Sequence, residues 1–128
     1  MYNSVWYNSL IKPDLAPPDW IFAPVWMILY LLIFLSLILY FLKIAENKKP
    51  GYIFWSIQFL LNIIWSPIFF LAKNITGAFL VIIFLDIFVI LTIIKFYSVR
   101  KITGILLFPY LIWILFATYL NAGYLLLN

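Results

Sequence analysis

Cysteine and histidine are absent from the 128 residues, and aspartate and glutamate together number only 4. Without thiols there is no disulfide and no thiolate nucleophile. Without imidazole there is no Ser/His/Asp constellation, and the usual ligands of zinc and of haem iron are missing. No metal site is expected, and no resident cofactor is required. Charged residues make up 9% of the chain, against about 25% in a soluble domain, which excludes a soluble fold. The 4 glycines form no Gly-x-x-x-Gly pair, so that signal for helix dimerisation is lacking. Nor does the start show a basic segment, a short apolar core and a cleavage site. The first apolar helix is expected to direct insertion itself.

What remains is 68% hydrophobic and 22% aromatic, with a mean hydropathy of +1.16. The apolar runs are continuous and not alternating, which points to membrane-spanning helices and away from a barrel. Residues 1–20 are too polar and too rich in proline to span, and are expected to lie over the membrane surface. Four runs follow, at about 21–43, 51–72, 76–97 and 102–126. At about 1.5 Å per residue each crosses a hydrocarbon core of about 30 Å. The expected fold is therefore an all-α bundle of four transmembrane helices forming one domain, with the lipid bilayer as its first partner. Pro17 and Pro18 delay the first helix, Pro24 sits in its first turn, and Pro67 and Pro109 predict bends inside the second and fourth spans.

The net charge of +4 resides mostly between the runs and reads as topology, with no nucleic-acid partner implied. Lys43, Lys48, Lys49, Lys95, Arg100 and Lys101 fall on one side and only Lys12 and Lys73 on the other. The basic loops 44–50 and 98–101 are thus expected to face the cytoplasm, the membrane being a bacterial cytoplasmic one.

Polar residues inside the spans carry the functional signal. Gln58 and Asn62 are four apart, with Trp65 and Ser66 continuing the same helical face; Trp113, Ala117 and Asn121 repeat the spacing on the fourth span, with Tyr110 a turn earlier. Amides in hydrocarbon need a partner, so these faces should turn inward. Two readings follow: interhelical bonding that only holds the bundle together, or a cavity of indoles, phenols and amides suited to a flat, mostly apolar ligand. Trp26, Trp65 and Trp113 could equally be interfacial belt residues, although Trp65 and Trp113 lie well within their runs. Asp86, near the middle of the third span, is read either as a neutral carboxyl bonded to a neighbouring helix or as a proton- or cation-sensitive site.

The run Trp6-Tyr7, Leu10, Lys12-Pro13, Pro17-Pro18, Trp20, Phe22, Pro24-Val25-Trp26 and Leu29-Tyr30 resembles the opening of the translocator protein family, the tryptophan-rich sensory proteins of bacteria. Gln58, Leu61-Asn62, Trp65, Pro67 and Phe69-Phe70 resemble a second block, and Pro109-Tyr110, Trp113, Phe116-Ala117 and Leu120-Asn121 a third. The resemblance implies a receptor or sensor that binds porphyrin or haem, with sterol-like ligands at a surface site and a homodimeric assembly. Its ligand pocket would be lined or capped by Trp6, Tyr7, Trp26, Tyr30, Asn62, Trp65, Trp113, Ala117 and Asn121. Light- and oxygen-dependent porphyrin degradation is a further implication, with Trp26 and Trp113 as the oxidisable indoles. Family members carry five spans where this sequence shows four. Leu15 and Ile63 replace residues that are usually Trp, which leads to the expectation of a thinner aromatic lining. The stretch Tyr124 to Asn128 has no Lys or Arg, so it adds nothing to the sterol implication.

Overall fold

The structure is a computed structural model and describes residues 5–128; the first four residues of the expected surface segment lie outside this range. A short helix, α1 (Val5–Ser9), is followed by an extended stretch and a single 3₁₀ turn, Asp19–Ile21. Proline then places the long helices. Pro24 lies in the first turn of α2 (Phe22–Leu42) and Pro50 in that of α3 (Lys49–Ser66), where a missing N–H has no intrahelical partner to lose. α4 (Ile75–Val99) is capped by Asn74, whose side-chain oxygen accepts from the Gly77 amide at 2.9 Å. The chain closes with a short α5 (Lys101–Ile105) and α6 (Phe108–Leu127).

Four segments are long and apolar enough to cross a membrane: Phe22–Leu42, Lys49–Leu71, Ile75–Val99 and Lys101–Leu127. They coincide with the expected runs to within a few residues. The two prolines expected to bend spans act differently from each other. At Pro67 the α3 ladder widens into a π-helical turn, Pro67–Leu71, in which the Ala72 amide reaches back to the Pro67 carbonyl at 2.9 Å. Pro109 bends no helix. It stands in the first turn of α6, after Leu106 and Leu107 have interrupted the span. The fourth span is therefore two helices, because proline is tolerated at a start and not in an interior.

α4 is the central helix. α3 packs along one side of it, α5 and α6 along the other, and α2 rests on α5 and α6. The consecutive helices α2 and α3 meet chiefly through rings: Phe34 edge-on to Trp55 and Phe59 (5.6 and 5.4 Å), Tyr40 on Tyr52 (5.1 Å). Toward the basic loops, the core is fixed by Tyr40 stacked on Phe96 at 4.0 Å. The turn after α4 is tied by Thr103, whose hydroxyl lies 2.8 Å from the Phe96 carbonyl and 2.6 Å from that of Arg100, while Ser36 donates to the Thr103 carbonyl at 2.6 Å. These bonds tie the end of α4 to α5 and α5 to α2. Leu31, Ile94 and Ile112 point outward, whereas Gln58, Asn62, Asp86 and Asn121 are buried, the distribution a bilayer solvent demands.

Candidate ligand-binding site

Gln58 and Asn62 leave the same face of α3 one turn apart, and tyrosines from two other helices meet them. The Tyr30 hydroxyl of α2 donates to Asn62 Oδ1. Asn62 Nδ2 donates to the Tyr110 hydroxyl of α6 at 2.8 Å, and that hydroxyl donates onward to Gln58 Oε1 at 2.8 Å. Donation runs in one direction along the row, so each hydroxyl hydrogen is used once. Gln58 Nε2, at the far end, is buried without a partner.

Beside this row lies a cavity of about 220 Å³. Ala23, Trp26 and Tyr30 of α2 face Asn62, Trp65 and Ser66 of α3 across it, with Ile82 and Leu85 of α4 and Ile114 and Ala117 of α6 behind. A second, smaller void of about 30 Å³ lies toward α1, among Tyr7, Phe69, Phe70, Trp113, Asn121 and Tyr124. Trp26, Trp65 and Ala117 border both spaces and form the waist between them. Trp65 is held there by donating Nε1 to Asn121 Oδ1 at 3.0 Å, and Asn121 is oriented in turn by its bond to the Ile75 carbonyl at 3.2 Å. Trp26 meets Trp113 and Tyr110 edge to face, each at 6.4 Å.

The segment that follows α1 is clasped onto the end of α6. Tyr124 donates to the Tyr7 hydroxyl at 2.9 Å, and Tyr119 donates to the Asp14 carbonyl at 2.6 Å. Asn128 pairs with the Ile11 backbone through both its amide atoms, at 3.0 and 3.1 Å. Gly123 lets Pro13 approach so closely that a Cβ there would lie 2.4 Å from the proline ring. The outer void is thereby roofed. Asp86 belongs to neither space; its Oδ2 meets the Thr118 hydroxyl of α6 at 2.7 Å, a bond to a neighbouring helix as one sequence reading had it.

The sequence model of the TspO/MBR family matches residues 1–127. The chain belongs to the TspO/MBR family. It is 42% identical to the tryptophan-rich protein TspO of Archaeoglobus fulgidus over 96% of this chain and 80% of that protein. It is 37% identical to protein CrtK of Rhodobacter capsulatus over 91% of this chain and 74% of that protein. The human translocator protein is 31% identical over 91% of this chain and 70% of its own length. With the apolar spans, this makes the chain an integral membrane protein.

Within this TspO/MBR bundle, the residues singled out in the sequence separate into groups. Trp26, Tyr30, Asn62, Trp65 and Ala117 border the larger cavity, and Tyr7, Trp113 and Asn121 the smaller. Trp6 lines neither, packing edge-on against Phe69 at 5.6 Å. Leu15 and Ile63 are 81% and 48% exposed and border neither space, so the residues at these positions do not thin the lining. Tyr110 and Gln58 matter more than spacing alone suggested, since the hydrogen-bond row passes through them. Ala23, Ile82, Leu85 and Ile114 had no signal, because an aliphatic residue facing a cavity has the same pattern as one facing a neighbouring helix.

Proposed function

We propose that this chain is a membrane receptor or sensor that holds a flat, largely apolar ligand of the porphyrin class inside its bundle. The observation that carries the reading is the cavity bounded by the rings of Trp26 and Trp65, with the Tyr30–Asn62 pair supplying polar groups on its wall. Rings offer stacking surface, and the hydroxyl and amide give orientation, the combination expected of a site for a flat ligand with a few polar edges. The names of the relatives agree: sensory protein in Cereibacter sphaeroides, translocator protein in Homo sapiens. At about 220 Å³ the cavity is smaller than the roughly 300–1,000 Å³ of ordinary ligand sites, so a macrocycle requires the waist at Ala117 to open into the outer void.

Titration of protoporphyrin into the detergent-solubilised protein tests this. Saturable quenching of indole fluorescence is expected, weakened at least tenfold by Trp26→Phe with Trp113→Phe and by Ala117→Leu, which closes the waist. Quenching that never saturates and ignores all three changes leaves a structural bundle without a ligand. Illuminating the complex under oxygen, with and without the two tryptophans, separates a binder from a protein that degrades its ligand. Self-association is part of the same reading: a second copy would cover the ring-lined edge between α2 and α3, and light scattering of the purified protein reports it.

A further inference from the structure

A groove larger than the ligand cavity lies away from it. It is about 560 Å³, opens outward between α4 and the broken fourth span, and is lined by Ile90, Ile94 and Tyr97 of α4 with Ile105, Phe108 and Leu111. Its wall is set by a close approach: Gly104 of α5 lies against Tyr97, where a Cβ would come within 2.6 Å of the tyrosine Cβ. The interruption at Leu106 and Leu107 carries the chain from one helix to the next, and the groove is the space left beside it.

Two basic residues stand in the turn that joins the walls of this groove at the loop end. Arg100 follows Tyr97 by three positions, and Lys101 precedes Ile105 by four, one turn along the same face of α5. Both are exposed, and among the described residues neither side chain has a hydrogen-bond or ion-pair partner. The one acid on the same side, Glu46, lies in the other basic turn and forms no ion pair with either. The turn that carries them is fixed by the Thr103 and Ser36 bonds, so the backbone from which the two charges project is held at the loop end of an apolar channel. Lys95, by contrast, packs against Gly51 on the α3 side. The other basic turn is also different, for Lys48 donates to the Phe41 and Lys43 carbonyls at 3.1 and 2.6 Å and is thereby occupied.

We propose that this groove is a selective site for an anionic phospholipid. An acyl chain lies along the isoleucines, and the headgroup phosphate is held by Arg100 and Lys101, with the Tyr97 ring at the boundary between them. Charge complementarity selects the occupant, because an apolar groove alone would take any lipid tail, whereas a pair of unpaired cations at its loop end favours the anionic headgroups of the same leaflet. The site is independent of whatever fills the cavity between α2 and α3.

Native mass spectrometry of the full chain, released from micelles containing equal amounts of phosphatidylglycerol and phosphatidylcholine, tests the proposal. The wild type should retain one phosphatidylglycerol in preference to phosphatidylcholine. Arg100→Gln with Lys101→Gln should cut that preference roughly five- to thirtyfold. Ile94→Trp, which fills the channel and leaves every charge in place, should lower retention of the same lipid. Lys43→Gln with Lys49→Gln removes equal charge from the other basic turn and should leave the preference intact. Equal retention of both lipids by the wild type overturns the proposal, as does an equal loss from the Lys43 and Lys49 pair, which would mean a diffuse basic surface.

Discussion

Tyr110 and Asn62 are joined at 2.8 Å across the interface of α6 and α3, and the same hydroxyl then donates to Gln58. One phenol thus satisfies two buried amides. Tyr110→Phe removes no packing volume but leaves Gln58 Oε1 and Asn62 Nδ2 without partners, at a cost of about 1–3 kcal/mol for a buried unpaired group. The variant is expected to unfold at a lower temperature in detergent. Combining it with Asn62→Leu should cost less than the sum of the single changes, since they break a shared row. Strict additivity would mean that the row contributes nothing as a unit.

Thr118 Oγ1 lies 2.7 Å from Asp86 Oδ2 and 2.7 Å from the Ile114 carbonyl, yet a hydroxyl carries one hydrogen. Both contacts can be hydrogen bonds when the hydroxyl donates to Ile114 and a protonated carboxyl supplies the other hydrogen. An ionised carboxylate at this depth would also cost about 2.5–3.5 kcal/mol. Asp86→Asn, which keeps a donor and an acceptor, is therefore expected to preserve thermal stability better than Asp86→Ala. Infrared difference spectra at neutral pH should show a protonated carboxyl band that disappears in Asp86→Asn. An ionised carboxylate signal in its place would refute the assignment.

The four spans were legible because continuous apolar runs survive any detail of packing. The inward polar faces of α3 and α6 were legible for a related reason: four-residue spacing puts Gln58 with Asn62, and Trp113 with Ala117 and Asn121, whatever the helices do next. What spacing could not give was which helix answers each amide. Tyr30 and Tyr110 lie 32 and 48 positions from Asn62, and their convergence depends on α2 resting on α5 and α6 while its Tyr30 reaches across to α3. Pro109 was misread for a local reason. Nothing apolar distinguishes Leu106-Leu107 as a break, so a proline that starts a helix looked like one that bends it.

Because the chain has no cysteine, a single introduced thiol reports its own side of the membrane without interference. Ser98 and Ser9 are both exposed and stand at opposite ends of the bundle. If the basic turns face the cytoplasm, Ser9→Cys in intact bacterial cells should react with an impermeant maleimide and Ser98→Cys should react only after lysis. The reverse pattern would invert the orientation and place the lid on the inside.

Gly123 and Asn128 test the lid itself. A methyl group at position 123 would meet Pro13 at 2.4 Å, so Gly123→Ala must push the segment after α1 away from α6 or shift the helix. Asn128→Ala instead removes the two bonds to Ile11 without adding bulk. The two changes act by different means on the same contact, and neither touches the larger cavity. Hydrogen exchange is therefore expected to rise in both variants at the amides of Ile11 and its neighbours, while the amides of α3 and α4 stay protected. If the clasp governs access, porphyrin quenching should also approach saturation faster in both than in the wild type. Faster exchange with unchanged binding rates would mean that the ligand enters elsewhere than under the clasp.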